Sequence, residues 1–221
     1  MMHMYQVLLV LYFIFIGVGR SYDLKNGAYD LKNGDLVFVN PPLDKESTFG
    51  RATIETGEAT IGWWEAHGVK PSSNSTAVHV AVCLGNGSII EAVPDFGVRS
   101  TTETRFFEEY PTDTRYYFGR VKNVNISSIL DSILLAQLGK PYADDFQAPP
   151  HRFYCTSLVT YAFMTALNVS FSPPFELIFE PLGFWRQYYA SMNLTLPPKG
   201  TLGSNPTLLL HSPHVDIVHS I

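Results

Sequence analysis

Cys155 is the residue whose surroundings best suit a nucleophile. An irregular stretch, FQAPPHRFY, runs from Phe146 to Tyr154, and CTSLVTYAFMTAL follows from Cys155 to Leu167 with helical character. A cysteine at a helix start feels the positive end of the dipole and sits among N–H groups without intrahelical partners. Those groups favour the nucleophilic thiolate, and they can also hold an oxyanion on an attacked carbonyl. His79 sits mid-run in AVHVAVCL (Ala77–Leu84), where an imidazole can act as a general base and then a general acid. Glu91 lies in SIIEAV (Ser88–Val93), and Gly85-Asn86-Gly87 between the two runs predicts a β-hairpin.

The hairpin loop length decides whether these groups can work together. A three-residue loop pairs Leu84 with Ser88 and Ala81 with Glu91. Glu91 is then diagonal to His79 on the same face, about 7–8 Å away at the backbone and within side-chain reach. A two-residue turn would send Glu91 to the opposite face.

Each residue also has a plainer reading. Cys155 could be a packed structural cysteine, or half of a disulfide with Cys83, the other cysteine in the chain. Cys83 is four residues along the strand from His79, or roughly 13 Å. A disulfide needs Cα atoms within about 7 Å, so Cys155 cannot easily meet His79 and also bond Cys83. His79 could be a core histidine with a backbone partner, and Glu91 a solvated strand residue. His211, His214 and His219 match no standard metal-ligand spacing. His67 and His151 read as surface residues. Trp63 and Trp64 could line a groove or cover the core.

The elements that must position these groups follow from pattern and punctuation. GDLVFV (Gly34–Val39) enters as a strand and Pro41-Pro42 ends it. Thr53–His67 predicts a helix with Ile54, Ile61 and Trp64 on one stripe, despite Gly57 and Gly62. YYFGRV (Tyr116–Val121) is a further strand. Ile126–Leu138 has a helical apolar period that Gly139 and Pro141 end, and Asn168 stops the helix begun at Cys155. A short amphipathic segment spans Phe184–Ala190. TLLL (Thr207–Leu210) and VDIV (Val215–Val218) read as closing strands.

Composition excludes several classes. The 221 residues are 46% hydrophobic and 16% charged, which rules out wholesale disorder. A formal charge of −5 removes the electrostatic case for nucleic acid. Two cysteines supply neither a disulfide framework nor a four-cysteine zinc site. Val7–Gly19 is apolar or small throughout, too short for a membrane span of about 20 residues but suited to a secretory signal peptide, with small residues at Gly17, Gly19 and Ser21. Five of the ten asparagines (Asn74, Asn86, Asn125, Asn168 and Asn193) lie in N-glycosylation sequons, which also points to the secretory pathway. The expected organisation is a signal peptide over 1–21, a flexible lead-in over 22–33 carrying the YDLKNG repeat, and one domain over 34–221.

The ordered motifs resemble a known family. GDLVF, HVAV with its histidine, IIEA with its acid, the Gly97-Val98 step, LGKPY (Leu138–Tyr142) and FYCTSLVTYAF (Phe153–Phe163) are similar to the permuted papain-like amidases of the YaeF/YiiX type, in the NlpC-related superfamily. The tail NPTLLLHSPHVDIV resembles that family's closing strand. The resemblance implies an α+β, circularly permuted papain-like fold, with an antiparallel sheet packed on helices and the nucleophile at a helix N-terminus. It also implies Cys155 as nucleophile, His79 as base, Glu91 as orienting group, and Tyr142 as a tyrosine near the nucleophile that assists the oxyanion. Bacterial members usually read Ser-His and Cys-Ser-Glu-Leu where this chain has Val78-His79 and Cys155-Thr156-Ser157-Leu158. The Asn-Cys-Glu signature of LRAT-type acyltransferases is absent.

The expected activity is that of a secreted cysteine hydrolase, cleaving an amide in a small peptide or lipid amide through an acyl-enzyme. The alternatives are an inactive binding module on the same fold, or an acyltransferase or thioesterase. No cofactor or metal ion is expected, nor a nucleic-acid partner, nor a stable membrane span. N-glycans are expected at the five sequons.

Overall fold

The computed structural model describes residues 29–44, 47–71, 73–125, 128–146 and 149–221. The expected signal peptide and the YDLKNG repeat up to Ala28 lie outside them. The strands are β1 (Leu36–Asn40), β2 (His79–Cys83), β3 (Ser88–Val93), β4 (Gly97–Thr102), β5 (Arg115–Val121) and β6 (Val215–Ser220). They form one antiparallel sheet in the order β4-β3-β2-β1-β5-β6. The helices are α1 (Thr48–Ala66), α2 (Glu103–Glu108), α3 (Ser128–Leu135), α4 (Cys155–Leu167), α5 (Leu182–Ser191) and α6 (Pro206–Leu210).

The central strand β1 is buried on both faces, with Leu36 to Val39 fully enclosed. That is why its sequence is a continuous apolar run and not an alternation. One face packs Leu36, Phe38, Val80, Val82 and Ile90 against α4 and its neighbours. The other packs Val37, Val39, Ala81 and Ile89 under Phe106 and Phe107 of α2.

Local chemistry sets the helix ends. Ser47 caps α1 by accepting from the Gly50 amide at 2.9 Å, so this helix begins five residues before the expected Thr53. Gly57 is a contact requirement: a Cβ there would sit 2.6 Å from Thr76 Cγ2. Helix α4 spans the expected residues and ends at Asn168 in the left-handed conformation. Helix α3 is shorter than the expected Ile126–Leu138, because residues after Leu135 turn toward Gly139.

Two expectations about elements change. TLLL is not a strand but the body of α6, because the Asn205 side chain accepts from the Leu208 amide at 2.8 Å and Pro206 takes the first turn. A short apolar run fits a buried helix as well as a strand, and the cap decides. The lead-in, expected to be flexible, is docked in its described part. Tyr29 stacks on Phe118 and donates to Asp35 at 3.1 Å, while Arg120 bonds both residues.

Strand β4 has no counterpart among the expected elements, because GVRSTT carries almost no apolar alternation. It exists because Gly97 (φ +66°) completes the turn from β3. Gly97 also lies against the chain at Lys140, where a Cβ would come within 2.1 Å of the carbonyl oxygen. Across this approach Val98 N donates to the Lys140 carbonyl and the Val98 carbonyl accepts from Gly139 N, both at 2.8 Å. Gly97→Ala is expected to cost about 2 kcal/mol or more from left-handed strain alone, with a further loss from the contact. A urea melt within experimental error of the native protein's would refute this account of the turn.

Candidate active site

Helix α4 presents Cys155 as its first residue. Tyr154 precedes it in extended conformation and donates its amide to Ser157 Oγ at 2.9 Å, fixing the first turn. The helix start is also tied to the tail. Thr156 Oγ1 donates to the Ser204 carbonyl at 3.0 Å, and the Ser204 amide donates to the Tyr154 hydroxyl at 3.2 Å. Gly203 lies close enough that a Cβ would meet Leu177 at 2.7 Å and the Tyr154 hydroxyl at 3.0 Å. Nothing local in the sequence marks Ser204 for this task, since it lies 48 residues beyond Thr156.

The hairpin takes the three-residue loop. Val82 pairs with Ile90 and Cys83 with Ile89, a register that puts Ala81 opposite Glu91. Glu91 Oε2 therefore reaches His79 Nε2 at 2.7 Å. That leaves the other ring nitrogen, Nδ1, for Cys155, which lies close enough to raise the His79 pKa. The meeting happens at the margin of the sheet. His79 and Glu91 share the side of Ala81 and Ile89, with the His79 ring 6.4 Å from those of Phe106 and Tyr110. Cys155 heads the helix on the other side. Contact is possible because His79 is the first residue of β2, where the sheet ends.

Behind Glu91 stands Arg99 of β4, paired with it across the β3–β4 ladder. Its guanidinium donates to Glu91 Oε1 through Nε at 2.9 Å and through a terminal nitrogen at 2.7 Å, and it bonds Glu109 as well. The Glu91 side chain has no solvent exposure, so both oxygens need partners and both have one. Arg99 and Glu109 are the part of this relay absent from the sequence reading; strand pairing with IIEA is the signal that points to Arg99.

Burial pulls the His79 pKa down. The hydrogen bonds to Cys155 and Glu91 and their negative charges outweigh it and carry the value from 6.5 to about 10. Burial pushes the Glu91 carboxyl up, but the His79 hydrogen bond and charge, together with Arg99, hold it below the ordinary carboxylate range. The arrangement keeps an imidazolium beside a sulfur, poised to lose and regain a proton.

Tyr142 bridges to Phe153, two residues before Cys155. Burial first, and the Cys155 charge second, push its hydroxyl pKa well up. It stays a neutral donor beside the sulfur, which is the state an oxyanion partner needs. Cys83 is free and buried at the far end of β2, its Sγ 3.4 Å from Glu103 Oε1. Burial is the main reason its pKa rises to about 12. Cys155 is free as well. Trp64 fills the core and donates to the Leu208 carbonyl at 3.0 Å, whereas Trp63 stacks on the exposed His67. His211 is buried on the Ser75 carbonyl, His214 and His151 are exposed, and His219 stacks on Tyr29.

Cys155 opens into a pocket of about 230 Å³ whose walls include Phe49, Tyr142, Phe146, Phe179, Trp185 and Tyr189. A broader depression of about 1030 Å³ lies beyond Leu177–Phe179, and none of the relay residues lines it.

Residues 30–219 match the family described as permuted papain-like amidase enzyme, YaeF/YiiX, C92 family. The chain belongs to this family. A crystal structure described as the metalloprotein yiiX from Escherichia coli O157:H7 superposes with a TM-score of 0.60 at 19% identity, covering 86% of this chain and 98% of that one. The likeness confirms the α+β permuted papain-like fold. Among curated proteins, none matches this sequence. A metal ion does not fit these C92-family residues. Among the described residues no three His, Cys, Asp or Glu side chains gather around one point, and Glu91 is already committed to His79 and Arg99.

Glu91→Gln removes the charge that favours imidazolium. His79 is expected to titrate at least one unit lower, as read from its ring resonances by NMR. In the native protein the stability drawn from the raised pKa is complete below pH 6.5 and disappears as the pH rises through about 10. In the variant that loss moves to lower pH. An unchanged His79 titration would separate Glu91 from the relay.

Proposed function

We propose that this protein hydrolyses an amide bond through an acyl-enzyme on Cys155. The observation that carries this reading is an imidazole held by a buried carboxylate and placed close enough to the α4 N-terminal sulfur for that sulfur to favour its charged form. The thiolate attacks the carbonyl carbon, and the negative charge that gathers on oxygen meets the α4 amides and the Tyr142 hydroxyl. His79 gives its proton to the leaving nitrogen as the C–N bond breaks. The neutral ring then takes a proton from water, whose oxygen adds to the thioester. Collapse releases the acid and restores the thiolate–imidazolium pair. Glu91 fixes the ring orientation and favours its charged form. The family's description as amidases and the position of Cys155 beside an apolar pocket support a carboxamide substrate, in a small peptide or an N-acyl compound.

The same reading places the protein in the secretory pathway, with Met1–Ser21 as the signal peptide and N-glycans on the sequons. All five sequon asparagines are exposed. Three of them lie at the sheet end away from the relay. Asn86 is in the loop after β2, Asn125 follows β5, and Asn168 closes α4 about 20 Å from Cys155. Glycans there leave the pocket open. Among the described residues no helix is long and apolar enough to cross a membrane. Expression in a eukaryotic secretory host is expected to yield medium-borne protein that loses mass on treatment with an N-glycosidase. Protein retained in the cytosol without glycans would refute the placement.

Iodoacetamide is expected to alkylate Cys155 faster than Cys83 at neutral pH by more than tenfold, because the Cys83 thiol titrates only near 12. His79→Ala should remove most of that difference, and Cys155→Ala should abolish amide hydrolysis. Hydrolysis needs the protonated ring and should fall as the pH rises through about 10, where alkylation does not. Peptide mapping that finds both cysteines equally slow would leave only a binding module.

A further inference from the structure

The walls around Cys155 differ on its two sides, and the difference assigns the parts of the substrate. The leaving nitrogen must sit beside His79 to receive its proton. His79 does not line the 230 Å³ pocket, while Cys155 and Tyr142 do. The acyl part therefore faces the pocket. No charged side chain lines it, and among its hydroxyls those of Thr156 and Thr207 are already bonded, to Ser204 and Ala77. A charged acyl group entering there would lose its water without gaining a partner.

The far wall is one strand of chain thick. Leu177, Ile178 and Phe179 line both this pocket and the 1030 Å³ depression outside it, which carries Glu176, Glu180, Arg186 and Lys199. The wall is fastened at both ends. Leu177 N donates to the Thr201 carbonyl at 2.9 Å, and Thr56 Oγ1 donates to the Glu180 carbonyl at 2.9 Å. Trp185 Nε1 reaches the same carbonyl at 3.0 Å. The Phe179 ring closes the end, 5.8 Å from both Phe146 and Tyr189.

We infer that the pocket takes an uncharged hydrocarbon acyl group and that Ile178 and Phe179 set its greatest length. A cavity of about 150 Å³ holds benzene, so by the same ratio 230 Å³ admits about nine carbons. A longer chain meets the wall, and beyond the wall it meets charge. This assignment rests on the reading of Cys155 as the nucleophile.

The test is calorimetric binding of N-methylamides of straight-chain acids to the full chain carrying Cys155→Ala, which cannot turn them over. Affinity should rise about fourfold per added methylene and stop rising at about nine carbons. Phe179→Ala should move the break to longer chains, and Ile178→Ala does the same by a second route if the first variant folds poorly. Acyl chains ending in a carboxylate or ammonium should bind at least tenfold more weakly than neutral ones of equal length. Affinity that climbs through sixteen carbons overturns the inference. So does a break at the same length in both wall variants, or equal binding of charged chains. A length break without preferential Cys155 alkylation would keep the pocket and remove the hydrolase. Preferential alkylation without a break would do the reverse.

Discussion

A charged imidazole held almost out of water is the constraint on which this structure turns. The His79 side chain is 12% exposed, and a buried charge is costly unless it is paired on every side. The molecule answers with a line of groups, Cys155, His79, Glu91, Arg99 and Glu109, in which cation and anion alternate from His79 onward. They come from α4, β2, β3, β4 and the residue that closes α2. No single element carries more than one of them. The three-residue hairpin loop sets Glu91 on the right face, Gly97 turns the chain so that Arg99 lies beside it, and Ser204 holds the head of α4 in place.

The two flanks of the sulfur are built from opposite materials. On one side the charges are matched and the ring nitrogens committed. On the other the aromatic residues of α1, α5 and the intervening loops enclose an apolar pocket. Excluding water strengthens the charge pairs of the relay, because the same separation counts for more in a medium of low dielectric. It also suits the chemistry proposed, in which an amine leaves beside a proton donor while the acyl group stays dry. The aromatic walls thus serve the electrostatics as much as the fit of a ligand.

Much of the fold was legible because local signals agreed with one another. The Gly-Asn-Gly loop, the apolar run of β1 and the span of α4 were all readable from spacing and punctuation, and the ordered motifs pointed to the C92 family. Where the reading failed, a local pattern admitted two structures or none. TLLL fits a strand or a buried helix, and only the Asn205 cap makes it α6. GVRSTT has no periodicity, and its strand forms because a neighbour offers a free edge and Gly97 can turn. The lead-in looked mobile, yet Tyr29 finds two rings, from β5 and β6, and two charged partners, Arg120 of β5 and Asp35 just before β1.

The sequence by itself determined which atoms are available for chemistry and in what order they come: a thiol at a helix start, an imidazole in a strand, and a carboxylate twelve residues beyond it. It determined the hairpin as well, since glycines flanking one asparagine favour a short loop. Tertiary structure alone decided that the histidine meets the sulfur around the margin of the sheet, that Arg99 and Glu109 stand behind the acid, that Ser204 steadies the helix, and that Phe49, Phe146, Phe179, Trp185 and Tyr189 share one wall. Those contacts join segments tens of residues apart. Their free energy appears only when the whole sheet and its helices close together, so no local window of sequence records them.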